Sequence, residues 1–316
     1  MSLAVAVVAS LLAGCGDEAA FGSGGIPAQP RAAEDPLVID LSGTDQPADL
    51  PTPLEGAMGV AGVQRIVDAV AAAASELGGA AGDLFPSKDN PCPDGGDASS
   101  DLSGSVSNPR IRMEFHGCVR GEVTLDGVAT ITCKELDGSD CVKADVALGD
   151  GDAVLYLRDA AAGRRRIFLL HGFAHVETDE PAQRLTVLAD LQGELRALEA
   201  PTRFSFVTGG FGVDLHKVSE EQTEVRIEGL AGFGGGAEGA HCIRGRFDTQ
   251  TPADPLILEG QLVRSGRLAL HSPPPRPGAQ QPEASFVDGG ADVLGADGAR
   301  EFYTEQELAG FCRLEG

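Results

Sequence analysis

The sequence has no tryptophan, two tyrosines and only four lysines among its 316 residues. Tyrosine and tryptophan supply the large rigid surfaces on which flat ligands stack, so their scarcity disfavours a carbohydrate-binding function. Asp and Glu number 48 against 24 Lys and Arg, which gives a formal net charge of −24. Such a surface repels polyanions and anionic lipid headgroups. We therefore expect no nucleic-acid partner, and any membrane attachment requires a covalent or hydrophobic anchor.

Motifs of common catalytic sites are also missing. The chain contains no GxSxG or HExxH sequence, and none of its lysines follows a glycine as a P-loop requires. Gly234–Gly239 satisfies GxGxxG, but a strand-like stretch follows it instead of a phosphate-binding helix. With 48 acidic residues, carboxylate pairs carry little information about acid–base catalysis. We predict no enzymatic activity and no cofactor.

A row of polar side chains at 171–179 is the best candidate for a metal site. His171, His175, Glu177 and Asp179 have the same parity, so on a strand they project from one face. The two histidines would lie about 13 Å apart at 3.3 Å per residue, too far to share one ion. We therefore interpret the row as a solvated polar face and predict no metal site.

The amino terminus carries the strongest signal. Residues 3–14 form an uncharged apolar stretch of signal-peptide length that is too short to span a bilayer as a helix. The sequence Leu-Ala-Gly-Cys at 12–15 resembles the bacterial lipobox. That resemblance implies removal of residues 1–14, lipid attachment to Cys15 and anchoring in a membrane. Two or three acyl chains, at about 0.8 kcal/mol per buried CH₂, give a stable anchor.

The surroundings of Cys15 refine this prediction. Gly16 follows the cysteine where aspartate would resemble an inner-membrane retention signal, which favours the outer membrane of a Gram-negative envelope. No Lys or Arg precedes the apolar run, which leaves open an upstream start codon. A short buried helix or a single transmembrane segment is the alternative. Residues 15–55 are rich in Gly, Pro, Ala and acidic residues and are expected to form a flexible linker with a reach of about 30–40 Å.

Six cysteines remain if Cys15 carries lipid, an even number that suits three disulfides in an oxidising compartment. Six cysteines allow 15 pairings. Our hypotheses are Cys92–Cys118, Cys133–Cys141 across a hairpin, and Cys242–Cys312, which would tie down the final helix. The alternative is six reduced, buried cysteines in a cytosolic protein.

Residues 56–77 have apolar residues at spacings of three and four, which predicts an amphipathic helix that ends at Gly78-Gly79 and packs on a sheet. From Cys92 onward the period changes to two. The alternating runs at 119–133 and 185–197 are each either one bent strand or a hairpin broken near Asp126-Gly127 or Gln192-Gly193. Further strands are predicted at 153–158, 166–176, 203–208, 211–218, 223–230, 256–263, 267–271, 284–288 and 291–294.

Thr304 to Glu307 form a capping box that predicts a short C-terminal helix. Helical patterns do not alternate with the strands, which disfavours a parallel sheet. The expected fold is therefore mainly β. It is an antiparallel meander forming a curved sheet or open barrel, with one N-terminal amphipathic helix and a short C-terminal helix. We assign residues 56–316 to a single β-rich domain.

The segments Cys92–Gly96, Phe115–Cys118, Val123–Gly127 and Gly245–Pro252 together resemble a loose pattern of uncharacterised bacterial lipoproteins over residues 90–312. The resemblance implies a disulfide-bearing, β-rich envelope protein and carries no known activity. The predicted function is that of a membrane-anchored envelope lipoprotein with a structural or interaction role, whose partner is an unknown protein. The alternative is a periplasmic carrier that holds a hydrophobic ligand in its curved sheet, with the 56–77 helix as a lid.

Overall fold

The computed structural model describes residues 52–84, 92–137, 140–150, 154–159, 166–197, 203–219, 221–235, 243–249, 254–259, 262–271 and 280–311. The predicted signal peptide, Cys15 and the linker before residue 52 lie outside the described residues, as do Cys242 and Cys312. The described part contains helices α1 (Pro53–Leu84) and α2 (Glu305–Gly310). Its strands are β1 (Gly95–Ser105), β2 (Asn108–Arg120), β3 (Val123–Asp137), β4 (Asp140–Leu148), β5 (Leu155–Asp159), β6 (Arg166–Asp179), β7 (Arg184–Ala197), β8 (Arg203–Lys217), β9 (Gln222–Gly235), β10 (Ile243–Asp248), β11 (Leu256–Glu259), β12 (Leu262–His271), β13 (Glu283–Val287), β14 (Gly290–Leu294) and β15 (Arg300–Thr304).

All fifteen strands belong to one antiparallel sheet in which neighbours along the chain are mostly neighbours in space. The order is β1-β2-β3-β4-β6-β7-β8-β9-β10-β12-β13-β14-β15. The short strand β5 lies between β3 and β6, as β4 does, but pairs with a different stretch of those two strands. In the same way β11 lies between β9 and β12, as β10 does. This confirms the predicted mainly β fold, an antiparallel meander that forms a large curved sheet.

One face of the sheet is apolar and forms the core. On β7 the residues Leu185, Val187, Ala189, Leu191 and Leu195 are buried, and the polar residues of the predicted alternation lie between them on the other face. Four phenylalanines from β8, β9 and β10 form a stacked group on the apolar face: Phe204, Phe206, Phe233 and Phe247. We call this side the concave face and the polar side the convex face.

Helix α1 lies on the concave face. Its residues Val60, Val63 and Ile66 are at most 4% exposed, and it packs against β10, β12–β15 and α2. The approach is close, because a methyl group added at Gly62 would lie 2.0 Å from Cε2 of Phe233. Gln64, on the opposite side of the helix, is exposed. The predicted amphipathic helix and its packing on the sheet are therefore present.

The ends of α1 differ from the prediction of 56–77. The helix begins at Pro53 because Thr52 caps it: the Glu55 amide donates to the Thr52 hydroxyl at 3.3 Å, and the Glu55 carboxylate accepts from the Thr52 amide at 3.1 Å. The predicted stop at Gly78-Gly79 is wrong. A glycine inside a helix costs only about 1 kcal/mol relative to alanine, and the helix continues to Leu84, two residues before Pro86.

Several predicted strand boundaries are also wrong. The run 119–133 is a hairpin, but its turn is at Gly121-Glu122 instead of Asp126-Gly127, and Gly121 adopts a left-handed φ of 58°. The run 185–197 is one strand. Predicted strands 203–208 and 211–218 are the single strand β8, in which Gly209-Gly210 form a bulge. The predicted strand 256–263 is divided between β11 and β12.

The C-terminal helix α2 has the predicted capping box. The Glu307 amide donates to the Thr304 hydroxyl at 3.2 Å, and the Thr304 amide donates to the Glu307 carboxylate at 2.8 Å. These hydrogen bonds lower the pKa of Glu307. Phe311, directly after α2, packs edge-on against Tyr303, with 5.6 Å between ring centroids. The helix is thereby fixed to the last strand of the sheet.

Candidate interaction surface

Two disulfides fix the first part of the sheet. Cys92, before β1, is bonded to Cys118 of β2 with both residues buried; we call this the edge disulfide. Cys133 of β3 is bonded to Cys141 of the neighbouring strand β4; we call this the hairpin disulfide. Both are pairs expected from the sequence. Both covalent links lie at the β1–β4 end of the sheet.

The polar row of β6 lies on the convex face as predicted. His171 and His175 are half-buried and Glu177 and Asp179 are exposed, while Phe168 and Leu170 of the same strand are buried on the concave face. Among the residues that the structure describes, no group of three or more His, Cys, Asp or Glu side chains is placed to hold a metal ion.

His175 belongs to a small hydrogen-bonded group that crosses three strands. Its Nδ1 lies 2.9 Å from Oδ1 of Asp145 on β4, and Nζ of Lys134 on β3 lies 2.8 Å from Oδ2 of the same carboxylate. The hydrogen bond from Lys134, followed by that from His175, lowers the pKa of Asp145. The group satisfies its own charges and holds the imidazole against the sheet.

Similar cross-strand ion pairs cover much of the convex face. Lys143 contacts Glu135 at 3.2 Å and Glu177 at 3.3 Å. Arg184 of β7 binds Asp214 of β8 through both carboxylate oxygens. Exposed pairs of this kind contribute little to stability, with a median of about 0–1 kcal/mol each. Their importance here is that these cations already have acidic partners and are not free to bind an anion.

A cleft of about 290 Å³ lies beside the Arg184–Asp214 pair on β7–β9. The five residues that line it all carry polar or charged groups: Arg184, Asp214, His216, Glu224 and Arg226. The carboxylate of Glu224 lies 3.6 Å from Nδ1 of His216 and 3.8 Å from the Arg226 guanidinium. This cleft does not have the apolar lining that a carrier of hydrophobic ligands requires.

Two large apolar side chains are exposed on the convex face of β6 and β7. Phe173 of β6 is 43% exposed and Leu188 of β7 is 48% exposed. Phe173 is paired with Asp190, and Leu188 with His175, so the two apolar residues are diagonal neighbours across β6 and β7. We call Phe173 and Leu188 the convex patch.

The neighbouring strands leave the convex patch open. Ala147 of β4 is the register partner of Phe173, and Gly212 of β8 is the register partner of Leu188. Neither alanine nor glycine has a side chain long enough to cover the patch. On its remaining side the patch meets Asp190, which is exposed and whose Oδ1 accepts a hydrogen bond of 2.6 Å from the Gly210 amide in the β8 bulge.

Our sequence interpretation missed the convex patch, although its signal is present. Phe173 shares the parity of His171 and His175, and Leu188 shares the parity of Thr186 and Asp190. Each is thus an apolar residue at a position where the alternating pattern of its strand otherwise places polar residues. Such a residue cannot reach the core, so it is exposed unless another element covers it.

Comparison with known proteins gives no matching family model, no similar curated protein and no similar solved structure. Neither helix in the described part of the chain combines the length and the hydropathy needed to cross a bilayer.

Proposed function

We propose that this protein is a lipid-anchored lipoprotein of the bacterial envelope that acts as an interaction or structural module, not as a carrier. The observation that supports this role is the packing of α1 into the concave face. A carrier of the expected kind would keep a continuous apolar space between sheet and helix. At Gly62 the helix instead approaches so closely that Phe233 leaves no room for a single methyl group.

The proposed anchor is Cys15 acylated after removal of residues 1–14, and the outer membrane is the proposed location. An oxidising compartment agrees with the edge and hairpin disulfides. The net charge of −24 opposes adsorption to anionic lipid, so a covalent anchor explains attachment better than surface binding. A linker of about 36 residues, 16–51, would then let the convex face meet partners about 30–36 Å from the bilayer.

Mass spectrometry of the protein purified from a Gram-negative host tests the proposed lipid attachment to Cys15. We expect a mature amino terminus at Cys15 that carries diacylglycerol and an amide-linked acyl chain. The Cys15→Ser variant is the control and should retain residues 1–14. An unmodified wild-type chain that retains those residues would refute the anchor.

Titration with a fluorescent fatty acid tests the role of the core. We expect no saturable binding, because α1, the predicted lid, packs directly on β10 and β12–β15 without leaving an apolar space at Gly62. Saturable binding with one probe per chain, abolished by a bulky substitution on the concave face such as Ala231→Phe, would support the carrier instead. Ala231 is fully buried on that face, and Thr186→Phe on the convex face is the matched control.

A further inference from the structure

We infer that the convex patch, Phe173 with Leu188, is the docking site for a protein segment that presents an apolar side chain next to Lys or Arg. This inference rests on the proposed interaction role and adds the location and the chemistry of the partner. The site lies on the convex face of β6 and β7, on the opposite side of the sheet from α1.

Burying the exposed apolar surface of the patch against a partner would contribute favourably to the free energy of binding. Nearly half of each side chain is exposed, 43% for Phe173 and 48% for Leu188, on a face that carries many charged and polar groups. Interfaces commonly place an apolar anchor at the centre and polar groups at the rim, and a few such anchors carry most of the binding energy. The small side chains of Ala147 and Gly212 leave access from both flanking strands.

The charges around the patch determine what the partner must carry. The nearby lysines are occupied: Lys134 by Asp145, and Lys143 by Glu135 and Glu177. Nδ1 of His175 is also hydrogen-bonded to Asp145. Asp190 borders Phe173, and within the described ranges its carboxylate is held by the Gly210 amide and not by a basic side chain. The rim therefore presents negative charge at Asp190, which a Lys or Arg of the partner would neutralise.

A second copy of the chain is a poorer occupant. Two chains with a net charge of −24 repel each other, and a copy would bring a second Asp190 towards the first if the two patches met. A membrane surface is poorer as well, because envelope lipids are anionic or zwitterionic and the patch is bordered by a carboxylate. Charge complementarity favours a cationic protein segment.

Fluorescence anisotropy with a labelled peptide tests the inference. The probe is an eight-residue peptide with alternating Arg, Leu and Phe, and the control peptide has Glu in place of every Arg. The full chain is used with whichever amino terminus it carries, so a failure of lipidation does not affect this measurement. We expect saturable binding of the basic peptide and none of the acidic peptide.

Variants locate the binding. Phe173→Ser should weaken binding of the basic peptide about tenfold, the effect of losing about 1.4 kcal/mol at an anchor. Asp190→Asn keeps the acceptor for the Gly210 amide but removes the charge, and should weaken binding about threefold at low salt and less at high salt. Phe302→Ser is the matched control, because Phe302 is 50% exposed on β15, and should leave binding unchanged. Unchanged urea midpoints would show that these variants remain folded.

Four outcomes would overturn the inference. They are no saturable binding of the basic peptide, equal weakening by Phe302→Ser, concentration-dependent dimerisation that Phe173→Ser abolishes, and binding to phosphatidylethanolamine–phosphatidylglycerol vesicles that depends on Phe173 but not on the acyl anchor. The third would assign the patch to a second copy and the fourth to a membrane. Mass spectrometry at Cys15 is a separate test of the proposed lipid anchor.

Discussion

The contact between Gly62 and Phe233 gives the sharpest prediction for the fold. In Gly62→Ala the new methyl carbon would start 2.0 Å from Cε2 and 2.2 Å from Cζ of the ring, whereas carbon atoms normally meet at about 3.5–4.0 Å. The ring must therefore move by more than an ångström inside a packed core. Phe233 is 1% exposed and stacked on Phe204, so little free space is open to it.

The expected magnitude follows from two opposing effects. Overpacking a core costs about 1–3 kcal/mol, and a displacement of this size belongs at the upper end. Replacing glycine by alanine in a helix recovers about 1 kcal/mol. The net loss should be about 2 kcal/mol, which at an m-value of about 3 kcal/mol/M lowers the urea midpoint by about 0.7 M.

Urea unfolding followed by circular dichroism measures this loss, and two further variants make it specific. Gln64→Ala, on the exposed side of α1, should change stability by less than about 0.5 kcal/mol. Combining Gly62→Ala with Phe233→Leu should cost at least about 1 kcal/mol less than the sum of the single changes, because the smaller side chain relieves the clash. A more stable Gly62→Ala variant, or strictly additive costs, would show that α1 does not lie against Phe233.

Three other predictions concern the two disulfides, the buried hydrogen bond of Thr208 and the ion pair of Asp145. The edge disulfide closes a loop of 26 residues and the hairpin disulfide a loop of 8 residues. Replacing both cysteines of a bridge by alanine should therefore lower the free energy of unfolding by about 3.5 kcal/mol for the edge disulfide and about 2.5 kcal/mol for the hairpin disulfide. Urea unfolding that gives the reverse order would contradict this. Thr208→Val should cost about 2–3 kcal/mol, because the Thr208 hydroxyl accepts from the buried Leu191 amide at 2.8 Å, whereas Thr186→Val on the convex face should be nearly neutral in the same assay. The pKa of Asp145 is lowered in the folded state, so its stabilisation is present above the unfolded value of about 3.9 and lost as pH falls through the folded value. Asp145→Asn should therefore lower the urea midpoint at pH 6, and this difference should shrink below about pH 4; a difference that is independent of pH would refute the ion-pair argument.

The sheet could be predicted from the sequence because its alternation is strong. The parity of Leu185 to Leu195 places one side of β7 in the core, and a one-residue shift would bury Thr186 and Asp190 instead. The boundaries were harder, because bulges and turns use the same residues. Gly209-Gly210 has the composition of a turn, but the residues on either side of it pair with both β7 and β9, so the two glycines form a bulge within β8.

Strand β1 could not be predicted from its own residues. Its sequence of Gly, Ser and Asp disfavours strands, and most of its side chains are exposed. The strand forms because the Val106-Ser107 turn pairs Ser105 with Asn108 and continues a hairpin whose second strand is apolar on one side. Here the stabilising contacts come from the partner strand, which a local pattern does not reveal. The convex patch was missed for a different reason, since exposure depends on what the neighbouring strands place beside a residue.

The position of α1 has a consequence for how the chain reaches this structure. The helix precedes all fifteen strands of the described part of the chain, yet Gly56 lies against Leu270 of β12 and Val293 of β14, near the opposite end of the chain. Proteins dominated by such distant contacts fold slowly, because the intervening chain loses entropy before these contacts can form. During synthesis the apolar side of α1 thus stays uncovered until the last strands are made. Truncation of the final strands should therefore leave an aggregation-prone chain.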